Sequence, residues 1–359
     1  MALFPIRGGP FGEVLKWSRD EPLTGRGVAV AALGMTVPVL IGLAIGRPEV
    51  GFTIGLGAML LAGETPPSGA AAQERPSPSN AVLPAALAVG LATLIAGGLW
   101  TDVAMIALAG VAAAISGYSR PVGVGAIRFI IYLVLSVSLL DGAGDHRGWA
   151  ALVFGLGALW NIVVRLMLAR RRPDTSAATP AAPPVRTPTP AQRRAYWRRT
   201  MKTLDGWQFP IRLVAGLGMA SVLRHLWPSH HYGWIVLTVA LLTQRPIEHL
   251  PVKTIQRTLG ALLGVGVTWA ILAGVTSPIL LGGLICILAT IAGIARARSY
   301  LVYAVASTPV ILLVMDFGKR VDPSLLTDRL VATLIGAAIV IVGNVLLDRL
   351  TRAAVAKRI

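Results

Sequence analysis

Apolar residues occupy long unbroken runs of this chain, and polar residues collect between the runs. A helix rises about 1.5 Å per residue, so crossing a hydrocarbon core about 30 Å thick takes roughly 20 apolar residues. The runs are apolar on every side, as is typical of helices in lipid rather than of amphipathic helices in a soluble domain. The pattern therefore predicts an all-α polytopic membrane protein with about twelve transmembrane helices. The predicted spans are 26–46, 50–63, 81–100, 102–119, 122–140, 149–169, 209–227, 232–244, 257–275, 277–295, 299–316 and 328–347.

Composition and charge agree with a lipid-embedded chain. Of 359 residues, 55% are hydrophobic and only 14% are charged, against about 25% charged in an ordinary soluble domain. The formal net charge of +17 comes from basic residues at the edges of the apolar runs. That placement indicates membrane topology rather than nucleic-acid binding. We therefore expect the chain to contact a lipid bilayer and no nucleic acid.

The loops predict an orientation. Clusters of Arg and Lys precede the first and seventh spans and follow the sixth and the last, which places them all on one side. The opposite loops are richer in acid, including Asp102, Asp141 and Asp145. By the positive-inside rule, we expect a multi-pass protein of the bacterial plasma (inner) membrane with both termini in the cytoplasm.

The Pro-rich stretch 173–190 separates two halves that repeat each other. Residues 115–120 match residues 291–296, and Asn161 in the sixth span matches Asn344 in the twelfth. Each half has an even number of spans, so both halves enter the membrane from the same side, as two parallel six-helix repeats. The predicted domains are an N-terminal cytoplasmic segment with a short interfacial helix (1–25), a first, degenerate repeat (26–170), a Pro-rich basic cytoplasmic linker (171–204), a second repeat (205–350) and a basic cytoplasmic tail (351–359).

Two short spans lie at corresponding positions of the halves, 51–63 and 233–244, and both end near proline. Short, Gly- or Pro-interrupted segments at corresponding positions favour a transporter's substrate site. The second of them carries Trp234, Thr238 and Gln244 and is followed by Arg245. The alternative is an interfacial tryptophan and threonines bonded back to their own helix.

Arginines dominate the charges within or beside the spans, and no Asp or Glu lies in the middle third of any span. Arg257 and Arg329 each open a predicted helix, where a guanidinium adds to the positive end of the helix dipole and favours an anionic ligand. Snorkelling to the interface is the default explanation for other arginines, such as Arg128 and Arg165. We expect Tyr303 and Thr308, with Trp234 and Thr238, to contact the body of an organic anion.

Signals for catalysis and metal binding are weak. The chain has one cysteine, no HExxH and no phosphate-binding Gly-rich loop. Asp141 and Asp145 have the spacing of a Mg²⁺-binding pair, but they lie on the predicted external side. We expect no catalytic residues, no metal site and no cofactor, so the chain is not predicted to be an enzyme. Self-association into a homo-oligomer stays open.

Three motifs of the second half resemble the fusaric acid resistance, or aromatic acid exporter, family: residues 232–238 (YGWIVLT), 257–264 (RTLGALLG) and 328–336 (DRLVATLIG). The plant aluminium-activated malate transporters, which are anion channels, are distantly similar. The resemblance covers about 205–350 and implies a tandem six-helix plan and export of aromatic or other organic acids. An anion channel is the first alternative. A non-transport membrane component, or an enzyme of lipid-linked substrates, is the second.

Overall fold

The computed structural model describes residues 15, 25–62, 78–141, 144–169, 188–227, 233–243, 250–296, 298–315 and 323–356. Within these ranges the chain is helical, with no strand. The helices are α1 (Gly25–Ala44), α2 (Pro48–Ala62), α3 (Pro78–Ile95), α4 (Thr101–Ile115), α5 (Arg120–Asp141), α6 (Arg147–Ala169), α7 (Pro190–Thr200), α8 (Leu204–Leu226), α9 (Gly233–Leu242), α10 (Leu250–Gly274), α11 (Pro278–Ala295), α12 (Tyr300–Met315) and α13 (Pro323–Ala356), with a 3₁₀ turn at Gly144–His146. Apart from α7, each helix corresponds to one predicted span. The predicted all-α polytopic architecture is confirmed.

Helix lengths separate long spanning helices from shorter ones. Among the described residues, six helices are long and apolar enough to cross a membrane by length and composition: α1, α5, α6, α10, α11 and α13. Helix α9 has only 10 residues, which corresponds to about 15 Å. This confirms that the segment is unusually short. The predicted interfacial helix near residues 11–17 lies outside the described residues, as do Gln244 and Arg245.

The two halves pack by the same plan. In each half the first helix packs against the second and sixth, the second against the sixth, the third against the fifth and sixth, and the fourth against the fifth. The halves meet through α1 with α11, α4 with α8, α2 with α12 and α5 with α9. If each helix is replaced by its counterpart in the other half, the pair α1–α11 becomes α8–α4 and the pair α2–α12 becomes α9–α5. This pairing supports two parallel repeats about one pseudo-two-fold axis.

Glycines bring α10 and α12 into close contact, as the sequence pattern predicts. Gly260 and Gly264 face Ala304 and Thr308, and a Cβ added at Gly264 would lie only 2.7 Å from the Cβ of Thr308. Small residues four apart are what allow two membrane helices to approach this closely.

Helix α7 lies inside residues 171–204, which the sequence predicts to be a Pro-rich basic cytoplasmic linker. Thr189 caps it: the Thr189 hydroxyl accepts a hydrogen bond from the backbone N–H of Gln192, and the Gln192 side chain accepts one from the backbone N–H of Thr189. The Trp197 indole then donates to the carbonyl of Ala114 at 3.0 Å, joining α7 to the end of α4. The Thr-Pro-Ala-Gln order, a capping box with proline at the first helical position, was the sequence signal for this helix.

An ion-pair cluster joins the halves at the predicted external end. The Arg224 guanidinium, near the end of α8, lies 2.8 Å from an Asp102 oxygen of α4 and 3.4 Å from an Asp141 oxygen of α5. His225 Nδ1 lies 3.3 Å from the second Asp102 oxygen. One helix of the second half is therefore tied to two helices of the first.

Candidate functional site

Arg329 is enclosed in the second half. Its side chain is 0% exposed, and its guanidinium carbon lies 3.8 Å from the centroid of the Trp234 ring. None of its three guanidinium nitrogens has a hydrogen-bond partner among the described residues. The indole of Trp234 therefore stacks on a buried cation that has no hydrogen-bond partner among the described residues, and such cation–π contacts are worth about 2 kcal/mol when desolvated.

A close crossing of α9 and α13 positions this stack. Trp234 and Thr238 are one turn apart and share a face of α9, while Arg329 and Gly336 are two turns apart and share a face of α13. Thr238 packs against Gly336, where an added Cβ would lie 2.8 Å from the Thr238 Cβ. The missing side chain at Gly336 therefore brings α9 near enough for Trp234 to meet Arg329. The Thr238 hydroxyl is itself buried without a hydrogen-bond partner among the described residues.

Arg257 is the second enclosed guanidinium. It is 1% exposed, its side chain lies within hydrogen-bonding reach of the Tyr300 hydroxyl, and its Nε and Nη2 have no partner among the described residues. Its helix, α10, packs against α13, the helix that carries Arg329, and the two guanidinium groups have the same charge. The structure therefore holds two like charges within electrostatic range of each other, both away from water.

The predicted position of these arginines at helix starts is wrong. Helix α10 begins at Leu250, so seven residues precede Arg257, and α13 begins at Pro323, so six precede Arg329. The apolar pattern misplaced both starts because each helix opens with a mixed polar turn. A helix-dipole effect fades within the first turn, so burial and missing partners, rather than the dipole, distinguish these two residues.

Tyr303 and Thr308 lie on α12, which packs against α10, the helix that carries Arg257. The Tyr303 ring packs on the Tyr300 ring with centroids 5.8 Å apart, and the Arg296 guanidinium carbon lies 5.7 Å from its centroid. The Thr308 hydroxyl donates to the Ala304 carbonyl at 2.8 Å. In this conformation Thr308 therefore packs, through its Cβ and methyl group, against the glycines of α10.

The buried charged side chains that the structure describes all lie in the second half of the chain. Among the described side chains, the buried charged ones are Arg212, Arg257, Asp328 and Arg329, all in the second half. Arg212 has a clear structural role, since its Nη1 donates to the Asn344 side chain at 2.6 Å. Arginine stays protonated in proteins, and burying an ion costs several kcal/mol unless it is paired. An anion bound beside Arg257 and Arg329 would therefore lower the free-energy cost of burying their charges.

Comparison with known proteins identifies the second half. Residues 217–343 match the family model described as fusaric acid resistance protein-like. The predicted resemblance to this family is confirmed over these residues. No curated protein and no solved structure matches the chain.

The matched range begins in α8 and ends in α13, so it contains the stacked Trp234–Arg329 pair, Arg257 and the α10–α12 crossing. The fusaric acid resistance family is one of membrane transporters, which agrees with a chain that is not an enzyme. Membrane transport therefore stands as the general activity of this protein.

Sequence reasoning missed two residues that the structure brings to the site, Tyr300 and Arg296. Tyr300 carries a signal in hindsight, since Tyr300, Ala304 and Thr308 recur every four residues and so share one face of α12. Arg296 carries none, because a basic residue at the end of an apolar run is expected whether or not it faces a site.

Proposed function

We propose that this protein exports organic anions, aromatic or amphipathic carboxylates, across the bacterial inner membrane, with both termini in the cytoplasm. The observation that carries the proposal is the pair of enclosed guanidinium groups, Arg257 and Arg329, most of whose nitrogens have no hydrogen-bond partner in the part of the chain that the structure describes. A carboxylate would supply the missing acceptors, since arginine binds carboxylates through paired, charge-assisted hydrogen bonds. An aromatic ring would compete for the Trp234 face on which Arg329 now lies.

Export would proceed by rocking of the two halves about their pseudo-two-fold axis, as in other transporters with parallel repeats. Both arginines are enclosed, so the cargo can reach them only when helices move apart. This enclosure favours a carrier over the alternative of an anion channel, because the side chains that line an open channel are in contact with water. The second alternative, an enzyme of lipid-linked substrates that uses Asp141, is less favoured because that carboxylate is engaged by Arg224 at the external end.

Efflux from liposomes tests the proposal. Vesicles containing the purified protein are loaded with benzoate or 2-naphthoate, or with benzylammonium, which carries a comparable ring and the opposite charge. We expect saturable efflux of the carboxylates above the background of protein-free vesicles, and no efflux of the cation. Arg257→Gln and Arg329→Gln should each lower the rate at least tenfold, while Arg349→Gln, an exposed arginine of the same α13 helix, should not.

Three results would contradict the proposal or redirect it. If benzylammonium left the vesicles as fast as the carboxylates, the buried guanidinium groups would not be selecting anions, and the proposal would be contradicted. Rates that rise linearly with concentration, together with unitary currents in a planar bilayer, would favour the channel. Unchanged efflux in both arginine variants, combined with loss of activity in Asp141→Asn, would favour the enzyme.

A further inference from the structure

The seam between α4 of the first half and α8 of the second half changes in character along its length. At its predicted external end, the Arg224 guanidinium lies 2.8 Å from an Asp102 oxygen and 3.4 Å from an Asp141 oxygen. At its middle, a Cβ added at Gly110 would lie only 2.8 Å from the Val214 side chain, so the two helices are in close contact. The external end of the seam is therefore joined by charge, and the middle by packing.

The predicted cytoplasmic end of the same seam is less tightly packed. A cavity of about 790 Å³ lies there, bounded by the turn between α4 and α5, the start of α7, and Phe209 of α8. A second, smaller cavity is lined by Ser116 and Gly117, which follow α4, and by Phe209 and Arg212 of α8. The two helices are thus joined at the external end of the seam and separated by cavities at the other end.

The other outer seam between the halves, α1 with α11, has an apolar external end. A Cβ added at Gly282 of α11 would lie between 3.5 and 3.7 Å from side-chain carbons of Val39, Leu43 and Phe52. Separating these surfaces would expose apolar carbon to water, at a cost proportional to the area exposed. The separated ion pairs of the α4–α8 seam would instead be hydrated. The charged seam is therefore the easier of the two to open toward an aqueous phase.

The ion pairs are suited to repeated opening because they are partly accessible to water. The side chains of Arg224, Asp102 and Asp141 are 23%, 13% and 31% exposed. Ion pairs with this degree of exposure contribute little to stability. They can therefore favour one conformation over another by a few-fold without preventing the exchange between them, as a carrier that alternates between two conformations requires.

We propose that Arg224, Asp102 and Asp141 form the external latch of this transporter and that the α4–α8 seam is the one that opens to the outside. This inference rests on the proposed function and assigns the movement to one seam. Helix α8 also packs against α9 and α13, which carry Trp234 and Arg329. Movement of α8 away from α4 would therefore loosen the enclosure of the stacked pair, while α1 and α11 remain in contact.

Thiol labelling tests the latch without relying on transport. The chain has one cysteine, Cys286, so Ala220→Cys in a Cys286→Ser background gives a single thiol. Ala220 is 0% exposed and lies one turn before Arg224 on the same face of α8. An impermeant maleimide added to right-side-out membrane vesicles should label this thiol slowly.

Changes in the latch should speed this labelling in a graded order. We expect the rate at Ala220→Cys to rise about 2-fold to 5-fold when Arg224→Gln removes the ion pairs. We expect it to rise at least 10-fold when Arg224→Glu places three negative charges together. Adding Asp102→Arg to Arg224→Glu restores opposite charges across the seam and should return the rate to within 2-fold of the starting value.

The apolar seam supplies the matched control. Val39 is 1% exposed on α1, so Val39→Cys in the same background reports on the seam that should stay closed. Arg224→Glu should change its labelling rate by less than 2-fold. No rise at Ala220→Cys, or an equal rise at both positions, would overturn the inference.

Cross-linking tests which seam moves during transport. In the Cys286→Ser background, Asp102→Cys and Arg224→Cys are joined by a short bis-methanethiosulfonate, about as long as the arginine side chain that it replaces. Benzoate efflux from liposomes should fall at least 10-fold and should recover when a reductant cleaves the cross-link. The same reagent applied to Leu43→Cys with Gly282→Cys, across the apolar seam, should change efflux less than 2-fold.

These experiments separate the latch from the proposed function. Wild-type vesicles that release no aromatic carboxylate would refute the proposed function, and the labelling rates would still report on the seam. Normal wild-type efflux that persists after α4 is cross-linked to α8, or that stops equally when α1 is cross-linked to α11, would overturn the latch alone.

Discussion

Replacing Arg329 with methionine should make the protein more stable and less able to transport. The guanidinium is 0% exposed, with no hydrogen-bond partner for any of its nitrogens among the described residues. Desolvation of such an ion costs several kcal/mol, and the stack on Trp234 at 3.8 Å returns only about 2 kcal/mol. Exchange of buried charges for apolar side chains of similar size stabilises other proteins by about 1–4 kcal/mol. We expect a gain in that range for Arg329→Met.

Thermal unfolding in detergent measures the change in stability and, when benzoate is added, the loss of anion binding that should lower transport. At roughly 2 °C per kcal/mol for a chain of this size, the melting temperature should rise by about 2–8 °C. Arg349→Met, the same change at an exposed position of α13, should shift it by less than 1 °C, within the roughly 0.5 kcal/mol typical of surface changes. Benzoate at 100 times its dissociation constant should stabilise the wild type by about 2.7 kcal/mol and should leave the Arg329→Met protein unaffected.

Two outcomes would refute the reasoning. A melting temperature that falls in Arg329→Met would mean that the guanidinium is paired and holds the fold together. Benzoate stabilisation of equal size in the variant and the wild type would mean that the anion binds elsewhere. A rise in stability with loss of binding is the combination expected only if Arg329 is kept for its ligand.

Three further changes test the packing around the site. Gly264→Leu should abolish folding or transport because the added side chain meets the α12 backbone and side chains, whereas Gly266→Leu, with open space around its Cα, should be tolerated; expression and size-exclusion profiles separate the two. Thr189→Ala should lower the stability of α7 by about 1 kcal/mol through loss of the capping box, seen as faster proteolysis near that helix. Arg224→Gln should cost less than about 1 kcal/mol, because the pair with Asp102 is partly exposed, yet it should raise hydrogen exchange at the external seam.

The fold was largely predictable because a lipid environment restricts which sequences can span the membrane. Every spanning segment must be apolar all round and hydrogen-bonded within itself, so the runs alone indicated twelve helices. Helix α7 does not follow this rule, because it contains four arginines, is largely exposed and has no apolar run that would predict it. Its one sequence signal is the Thr189 capping box, which is recognised only once the helix is known.

The site was predictable in part. Trp234 and Arg329 were both singled out, but their stack depends on α9 crossing α13 at Gly336, which no pattern within one helix reveals. Arg165 illustrates the limit of sequence reasoning. From the sequence alone, an arginine near the end of a span could point either to lipid headgroups or into the protein. For Arg165, the hydrogen bond to Asn161 in the folded structure shows that the side chain points into the protein.

Covalent joining of the two repeats has a consequence for stoichiometry. In a symmetric dimer of identical six-helix chains, any buried guanidinium pair would have to occur twice, once in each subunit. Here the third helix of the first half, α3, packs against the fifth, α5, and the buried residues of α3 include the neutral alanines Ala85, Ala88 and Ala92. Among the described side chains, the fully buried guanidinium pair of Arg257 and Arg329 occurs once in the polypeptide, so we expect each polypeptide to bind a single molecule of cargo per cycle.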